Sequence, residues 1–215
     1  GDVRSQRGNQ KYGGGGKLDP ADRTRFYYRG MEFRLDWTKG AFALERVYFR
    51  PGPAELAMLG GHMADGYPEE PLTLNGRRYF TNCYNSNPTN GASLAFLWID
   101  RDGVARPAAA FGRANDWALL KDERFASRWP AGLEPRGDPW RNQAVVLWCD
   151  TNADGQAQPD EVTIQQGQLG GVTVMPDGAF VASRWESRTV RLVPQRFTAA
   201  GTPIYVHAKV MVIDD

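Results

Sequence analysis

Short apolar and aromatic runs alternate along most of this chain with clusters of glycine, proline, asparagine and aspartate. From Phe26 onward the runs Met31 to Leu35, Ala41 to Phe49, Arg78 to Cys83, Ser93 to Ile99, Ala144 to Cys149, Val172 to Val174, Ala179 to Ala182 and Val190 to Val193 all suit β-strands. Between them lie Thr38-Lys39-Gly40, Asn75-Gly76, Asp102-Gly103, Asp154-Gly155 and Pro176-Asp177-Gly178. Each is a turn former, because glycine accepts positive φ and Asn or Asp bonds its own backbone. One helix is predicted, over Asp116 to Arg128, capped by Asn115 or Asp116 and ended before Pro130. Many short strands, turns rich in Gly and Pro, and one short helix predict an all-β protein.

The strands also repeat. Leu97-Trp98-Ile99-Asp100-Arg101-Asp102-Gly103-Val104-Ala105-Arg106-Pro107 matches Leu147-Trp148-Cys149-Asp150 followed by Asp154-Gly155-Gln156-Ala157-Gln158-Pro159, fifty residues on and with two residues inserted. A fainter third unit holds Pro176-Asp177-Gly178 and Phe180-Val181-Ala182. A period of ~40–50 residues with several strands per unit is the spacing of β-propeller blades. Two similar hairpins inside a β-sandwich would give the same signal. Residues 26–215 are therefore read as one propeller-like domain, either a small ring or part of a larger one. Residues 1–25, polar and carrying the run Gly13 to Gly16, read as a flexible arm.

Composition narrows the function classes. The 215 residues hold 26 Lys and Arg against 25 Asp and Glu, a net charge of +1, which gives no electrostatic case for nucleic acid. The longest apolar runs fall far short of the ~20 residues of a membrane span. The chain starts at Gly1 with no basic-then-apolar leader, which says little about export, since a processed product would lack one too. Two cysteines, Cys83 and Cys149, are too few for a disulfide framework, and read as buried thiols or a single bridge. Two histidines, His62 and His207, argue against zinc sites and most His-dependent triads.

The sharpest chemical signal is the twelve-residue stretch from Asp150 to Glu161, Asp-Thr-Asn-Ala-Asp-Gly-Gln-Ala-Gln-Pro-Asp-Glu, which fits the EF-hand calcium-loop pattern. Side-chain oxygens of Asp150, Asn152 and Asp154 recur at every second residue, so a bending backbone can aim them at one point. Gly155 stands where that backbone turns sharply. Gln156 would offer its carbonyl, Gln158 would act through a water, and Glu161 would close the site with its carboxylate. Hard oxygen donors in this number suit Ca2+ better than Mg2+. An acidic surface turn whose Asn and Asp side chains cap the backbone is the plainer alternative. The run Ala144 to Trp148 before the loop is strand-like, where a calmodulin-type hand needs a helix. No second hand is present, because the Asp100 copy is two residues short. The expected role is a calcium staple between strands.

Trp148-Cys149-Asp150-Thr151-Asn152-Ala153-Asp154-Gly155 with Gln158-Pro159-Asp160-Glu161-Val162 resembles the calcium turn of large NHL-like β-propeller proteins of bacterial exteriors. Leu74-Asn75-Gly76-Arg77-Arg78-Tyr79-Phe80, Asn82-Cys83-Tyr84-Asn85 and Arg113-Ala114-Asn115-Asp116-Trp117 are similar to that group as well. The resemblance spans most of Tyr27 to Tyr205. It implies an extracytoplasmic or secreted scaffold or binding protein, with a protein or carbohydrate ligand left open, and supplies no catalytic residues.

A second signature closes the chain. His207-Ala208-Lys209 with Asp214 is H-x-K-x-x-x-x-D and resembles the catalytic motif of the phospholipase D superfamily. That resemblance implies His207 as nucleophile on phosphorus, Lys209 on the phosphate oxygens and Asp214 in support. The family builds its site from two such motifs, and His62 is followed by Met63 and Ala64. A terminal strand with His207 and Lys209 facing water is the plainer expectation.

Trp37, Trp98, Trp117, Trp129, Trp140, Trp148 and Trp185 read as core anchors or, alternatively, as a carbohydrate groove. Asn82 to Asn90 reads as a ligand-facing loop or as a turn satisfying its own backbone.

Overall fold

The computed structural model describes residues 16–28, 31–48, 70–82, 93–138, 141–205 and 210–213. The described chain is all-β, built from antiparallel sheets. Strands β1 (Lys17–Leu18), β2 (Arg25–Tyr28), β3 (Met31–Asp36) and β4 (Ala41–Val47) form the first sheet in that order. The six that follow are β5 (Glu70–Leu74), β6 (Arg77–Thr81), β7 (Leu94–Arg101), β8 (Val104–Arg113), β9 (Ala144–Cys149) and β10 (Val162–Gln166); they form one sheet in which sequence neighbours pair throughout. Then come β11 (Val172–Val174), β12 (Phe180–Trp185), β13 (Arg188–Leu192), β14 (Arg196–Phe197), β15 (Pro203–Ile204) and β16 (Val210–Ile213). Of these, β11, β12, β13 and β16 make a third sheet, and β14 pairs with β15. Of the arm expected over residues 1–25, residues 1–15 lie outside the described residues, while β1 pairs with β2 and Asp19 is buried.

The six-stranded sheet is buried on both faces, which explains why its strands read as nearly continuous apolar runs. Along β9, Val145, Leu147 and Cys149 join one core with Phe111, Val172, Phe180 and Leu192, while Val146 and Trp148 join a second with Phe96, Trp98 and Trp117. Strand β8 escapes the sequence pattern because it is built of alanines. Ala108, Ala109 and Ala110 are completely buried, and Ala110 lies between the large rings of Phe96 on β7 and Trp148 on β9. Pro107 is tolerated there at a register shift, opposite Trp98.

The turn chemistry behaves as expected. Asn75-Gly76 joins β5 to β6 with φ of 50° and 72°, and Asp102-Gly103 joins β7 to β8 with φ of 56° and 79°. Positive φ at both central residues is the hairpin turn whose twist matches the strands. The helix expected over Asp116 to Arg128 is replaced by three 3₁₀ turns, Ala114–Asp116, Ala118–Lys121 and Glu123–Arg128. Trp117 and Asp122 are extended between them, and the Asp122 carboxylate accepts the Arg124 N–H, which restarts the chain rather than continuing a helix. These turns cover the second core with Trp117, Leu120, Phe125 and Trp129.

The two sequence copies are neighbours in space. The β7–β8 turn and the β9–β10 loop sit at the same end of one sheet, because β8 pairs with β9. Of the tryptophans, Trp98, Trp117, Trp129 and Trp148 are core residues, whereas Trp37 is 64% exposed and Trp140 lies outside the described residues. Asn82 is also structural: its side chain donates to Leu94 O and accepts the Phe96 N–H, and residues 83–92 lie outside the described set.

Candidate metal centre

The Asp150 to Glu161 loop hangs from the paired ends of β9 and β10, where Trp148 lies opposite Val162. Asp150 continues the pairing with β8 through its N–H to Ala108 O at 2.9 Å, and is fully buried. Its carboxylate gathers the loop: Oδ1 accepts the Asp154 N–H at 3.1 Å and Oδ2 the Gly155 N–H at 3.2 Å. Asn152 Oδ1 accepts the Asp154 N–H at 3.0 Å, and Asp154 Oδ1 accepts the Gln156 N–H at 2.8 Å. Ala153 and Gly155, with φ of 65° and 77°, supply the left-handed residues that this tight winding needs. The alternation that places an oxygen at every second residue thus becomes a chain of nested turns with Asp150, Asn152 and Asp154 wound together.

The second half of the loop returns the chain through a 3₁₀ turn, Pro159–Glu161, with proline at its first position. Glu161 Oε1 accepts from the Thr151 N–H at 2.7 Å, from Thr151 Oγ1 at 2.7 Å and from the Asn152 N–H at 3.2 Å. Its other oxygen, Oε2, accepts the indole N–H of buried Trp148 at 3.1 Å. Gln156 is exposed at the loop's outer side. Gln158 donates to Asp154 Oδ2 at 2.6 Å, while its own Oε1 is buried without a hydrogen-bond partner among the described residues.

Electrostatically the loop is short of positive charge. Burial pushes the Asp150 carboxyl up to about 6, and the Glu161 and Asp154 carboxylates push in the same direction, against the Gly155 N–H and Arg101. Arg101 spans the loop's edge, donating to Ala153 O at 3.0 Å and to Ala200 O, in the β14–β15 connection, at 3.2 Å. Among the described residues no three His, Cys, Asp or Glu side chains converge as a ready-made metal cage. The donor set still matches a hard cation. It comprises the side-chain oxygens of Asp150, Asn152, Asp154 and Glu161, the Gln156 carbonyl and the orphaned Gln158 oxygen.

The shorter copy makes an instructive contrast. Asp100 Oδ1 accepts the Gly103 N–H at 2.9 Å, the same kind of turn, but its Oδ2 faces Tyr48 OH at 3.1 Å. Trp98 Nε1, the counterpart of Trp148 Nε1, is buried with no partner among the described residues, and this copy has no counterpart of Glu161. The pairing of Trp148 with Glu161 was not readable from the loop pattern, which assigns Glu161 to the ion alone. The doubled Leu-Trp-x-Asp motif was the available clue.

His207, Lys209 and Asp214 lie outside the described residues, as does His62. The strand after Lys209, β16, pairs antiparallel with β13. Cys149 is buried and not in a disulfide, and burial raises its thiol to about 11, far from a reactive thiolate.

Among the described residues, two cavities lie away from the loop. One, of about 190 Å³, has a mixed polar and apolar lining and sits at the opposite end of the six-stranded sheet. The other, of about 510 Å³, is an open apolar groove on the first sheet, lined by Phe26, Phe33, Trp37 and Phe42 among others. No protein-family model matches this chain, and neither the curated proteins nor the solved structures compared with it include a match.

Proposed function

We propose that the Asp150 to Glu161 loop binds one Ca2+, and that the chain is a calcium-stapled binding or structural module of NHL-like β-propeller type working outside the cytoplasm. The observation that carries the calcium reading is the nested winding of Asp150, Asn152 and Asp154 about Gly155, with an unsatisfied Gln158 oxygen beside them. Asp150, Asn152, Asp154, Gln156 and Glu161 would hold the ion. It would supply the positive charge that a buried Asp150 beside two further carboxylates lacks. Glu161 would trade hydrogen bonds from Thr151 or Trp148 for the ion. The flanking strands make this a staple between β9 and β10, not a sensor that opens a helical groove.

The propeller reading is supported by the repeated antiparallel strands and by a central sheet sandwiched between two cores. A protein or a carbohydrate remains the proposed class of partner. The phosphodiesterase alternative rests on His207, Lys209 and Asp214, and no described residue adds to it. Calorimetric titration of chelator-stripped protein with CaCl2 tests the main reading. One site that disappears in Asp150→Ala supports it, and no heat of binding in the wild-type protein rejects it.

A further inference from the structure

The cavity of about 190 Å³, with a mixed polar and apolar lining, lies where β8 ends, β9 begins and β10 runs out towards β11. Its wall carries one cation, Arg113, and one anion, Asp116, among the amide side chains of Asn115, Gln143 and Gln168. The two charges form no ion pair with each other, and among the described residues neither has an ion-pair partner. Arg113 is anchored at one nitrogen, which donates to Leu169 O at 3.3 Å, leaving the rest of a planar fork for an oxyanion.

The wall is rigidly built. Asn115 uses both ends of its amide, donating to Asn142 O at 2.8 Å and accepting the Ala144 N–H at 3.1 Å. Gln168 accepts the Glu186 N–H at 3.3 Å through its carbonyl and donates its own N–H to Glu186 Oε1 at 3.1 Å. Glu186 and Ser187 form the β12–β13 turn with φ of 48° and 67°, positions that Asn and Gly normally fill, and Arg184 just before them is left-handed at 56°. Left-handed residues at both turn positions and at Arg184 in the strand before them are retained only where the surroundings hold them, and such strain concentrates beside ligand sites. Here the strained turn clamps the cavity's floor.

We infer that this cavity is a binding site for a small zwitterion, with Arg113 taking a carboxylate and Asp116 an ammonium, as in a free α-amino acid. Opposite charges on one wall, each without an ion pair among the described residues, favour a ligand carrying both signs over a neutral sugar, and no aromatic ring among those residues lines the cavity for a sugar face to stack on. The volume is below the ~300–1,000 Å³ of sites for larger ligands, which limits the occupant to amino-acid size. The site shares no residue with the calcium loop, so the two assignments stand or fall separately.

The test is calorimetry of the wild-type chain against a panel of free amino acids and neutral monosaccharides, each to ~10 mM, enough to load most sites at millimolar Kd. At least one amino acid is expected to bind. Arg113→Gln and Asp116→Asn should each weaken it about tenfold or more while lowering the ligand-free melting temperature by no more than a few degrees, the cost of the lost Arg113 bond to Leu169 O. The analogues lacking the amine or the carboxylate should lose a similar factor. Absence of amino-acid binding overturns the assignment. So does binding that both variants leave intact, or a monosaccharide that binds in the amino acid's place.

Discussion

Trp148 donates its indole N–H to Glu161 Oε2 at 3.1 Å, so the residue that should close the calcium loop is tied to a tryptophan in the core. Any ion that draws on the Glu161 carboxylate changes the environment of that indole. Calcium titration is therefore expected to change the intrinsic fluorescence, and Trp148→Phe is expected to remove most of the change despite the other tryptophans. Glu161→Gln should weaken calcium roughly tenfold or more, since it removes one charged ligand. A fluorescence response that survives intact in Trp148→Phe would separate Glu161 from the ion.

The pH response of the chelated protein has a definite sign. The Asp150 carboxyl rises from 3.8 to about 6 on folding, so the folded state holds its proton more tightly than the unfolded state. The stability this contributes is complete below 3.8 and is lost as pH rises through about 6. Denaturant unfolding in chelator should show Asp150→Asn flattening that slope. With calcium present the slope should reverse, because protons then compete with the ion.

The loop's winding gives a second handle on the backbone. Gly155 has φ of 77°, where any other residue pays about 1–2 kcal/mol. Space is not the obstacle, since an added Cβ would meet Pro107 no closer than 3.6 Å. Gly155→Ala should therefore lower the stability of the chelated chain by that amount and that of the calcium-loaded chain by more, and should weaken calcium binding in titration. An unchanged affinity would mean that the nested turns are not the metal-binding geometry.

A buried ionic junction ties the first sheet to the six-stranded one. Glu32 is fully buried, paired with Arg25, and accepts from Tyr48 OH at 2.8 Å, while Arg78 approaches it at 3.7 Å from β6. Tyr48 and Tyr27 pack on Phe80 at ring separations of 4.8 and 5.2 Å. Removing one partner strands the opposite charges, so Glu32→Ala should cost about 3–5 kcal/mol in chemical unfolding. A loss under ~1 kcal/mol would place this junction with solvated surface pairs.

How much of this was legible beforehand depended on what each residue contributes. Turns were readable wherever Asn-Gly or Asp-Gly encodes positive φ, as at Asn75-Gly76 and Asp102-Gly103, but not at Glu186-Ser187, where the clamp on Gln168 holds an unfavourable pair in place. Strands were readable where bulky residues run together, as in Ala144 to Cys149. They were invisible in β8, whose alanines carry no strand pattern of their own although Ala105 and Ala110 share a core with Trp98 and Phe96. The oxygen donors of the loop follow from spacing alone. The grip of Trp148 and Thr151 on Glu161 does not, since it depends on how the loop folds back across thirteen residues. The cavity at Arg113 draws residues from three separate strand ends, and no local motif announces that kind of meeting.

The most direct test of the calcium account is a pair of thermal melts, one in excess CaCl2 and one in chelator. At a calcium concentration ~100 times Kd the ion should add about 2.7 kcal/mol, a rise of roughly 5–10 °C for a chain of this size. Asp150→Ala should abolish the rise. Superimposable melts of the wild-type chain with and without calcium, or a rise that survives in Asp150→Ala, would contradict the account.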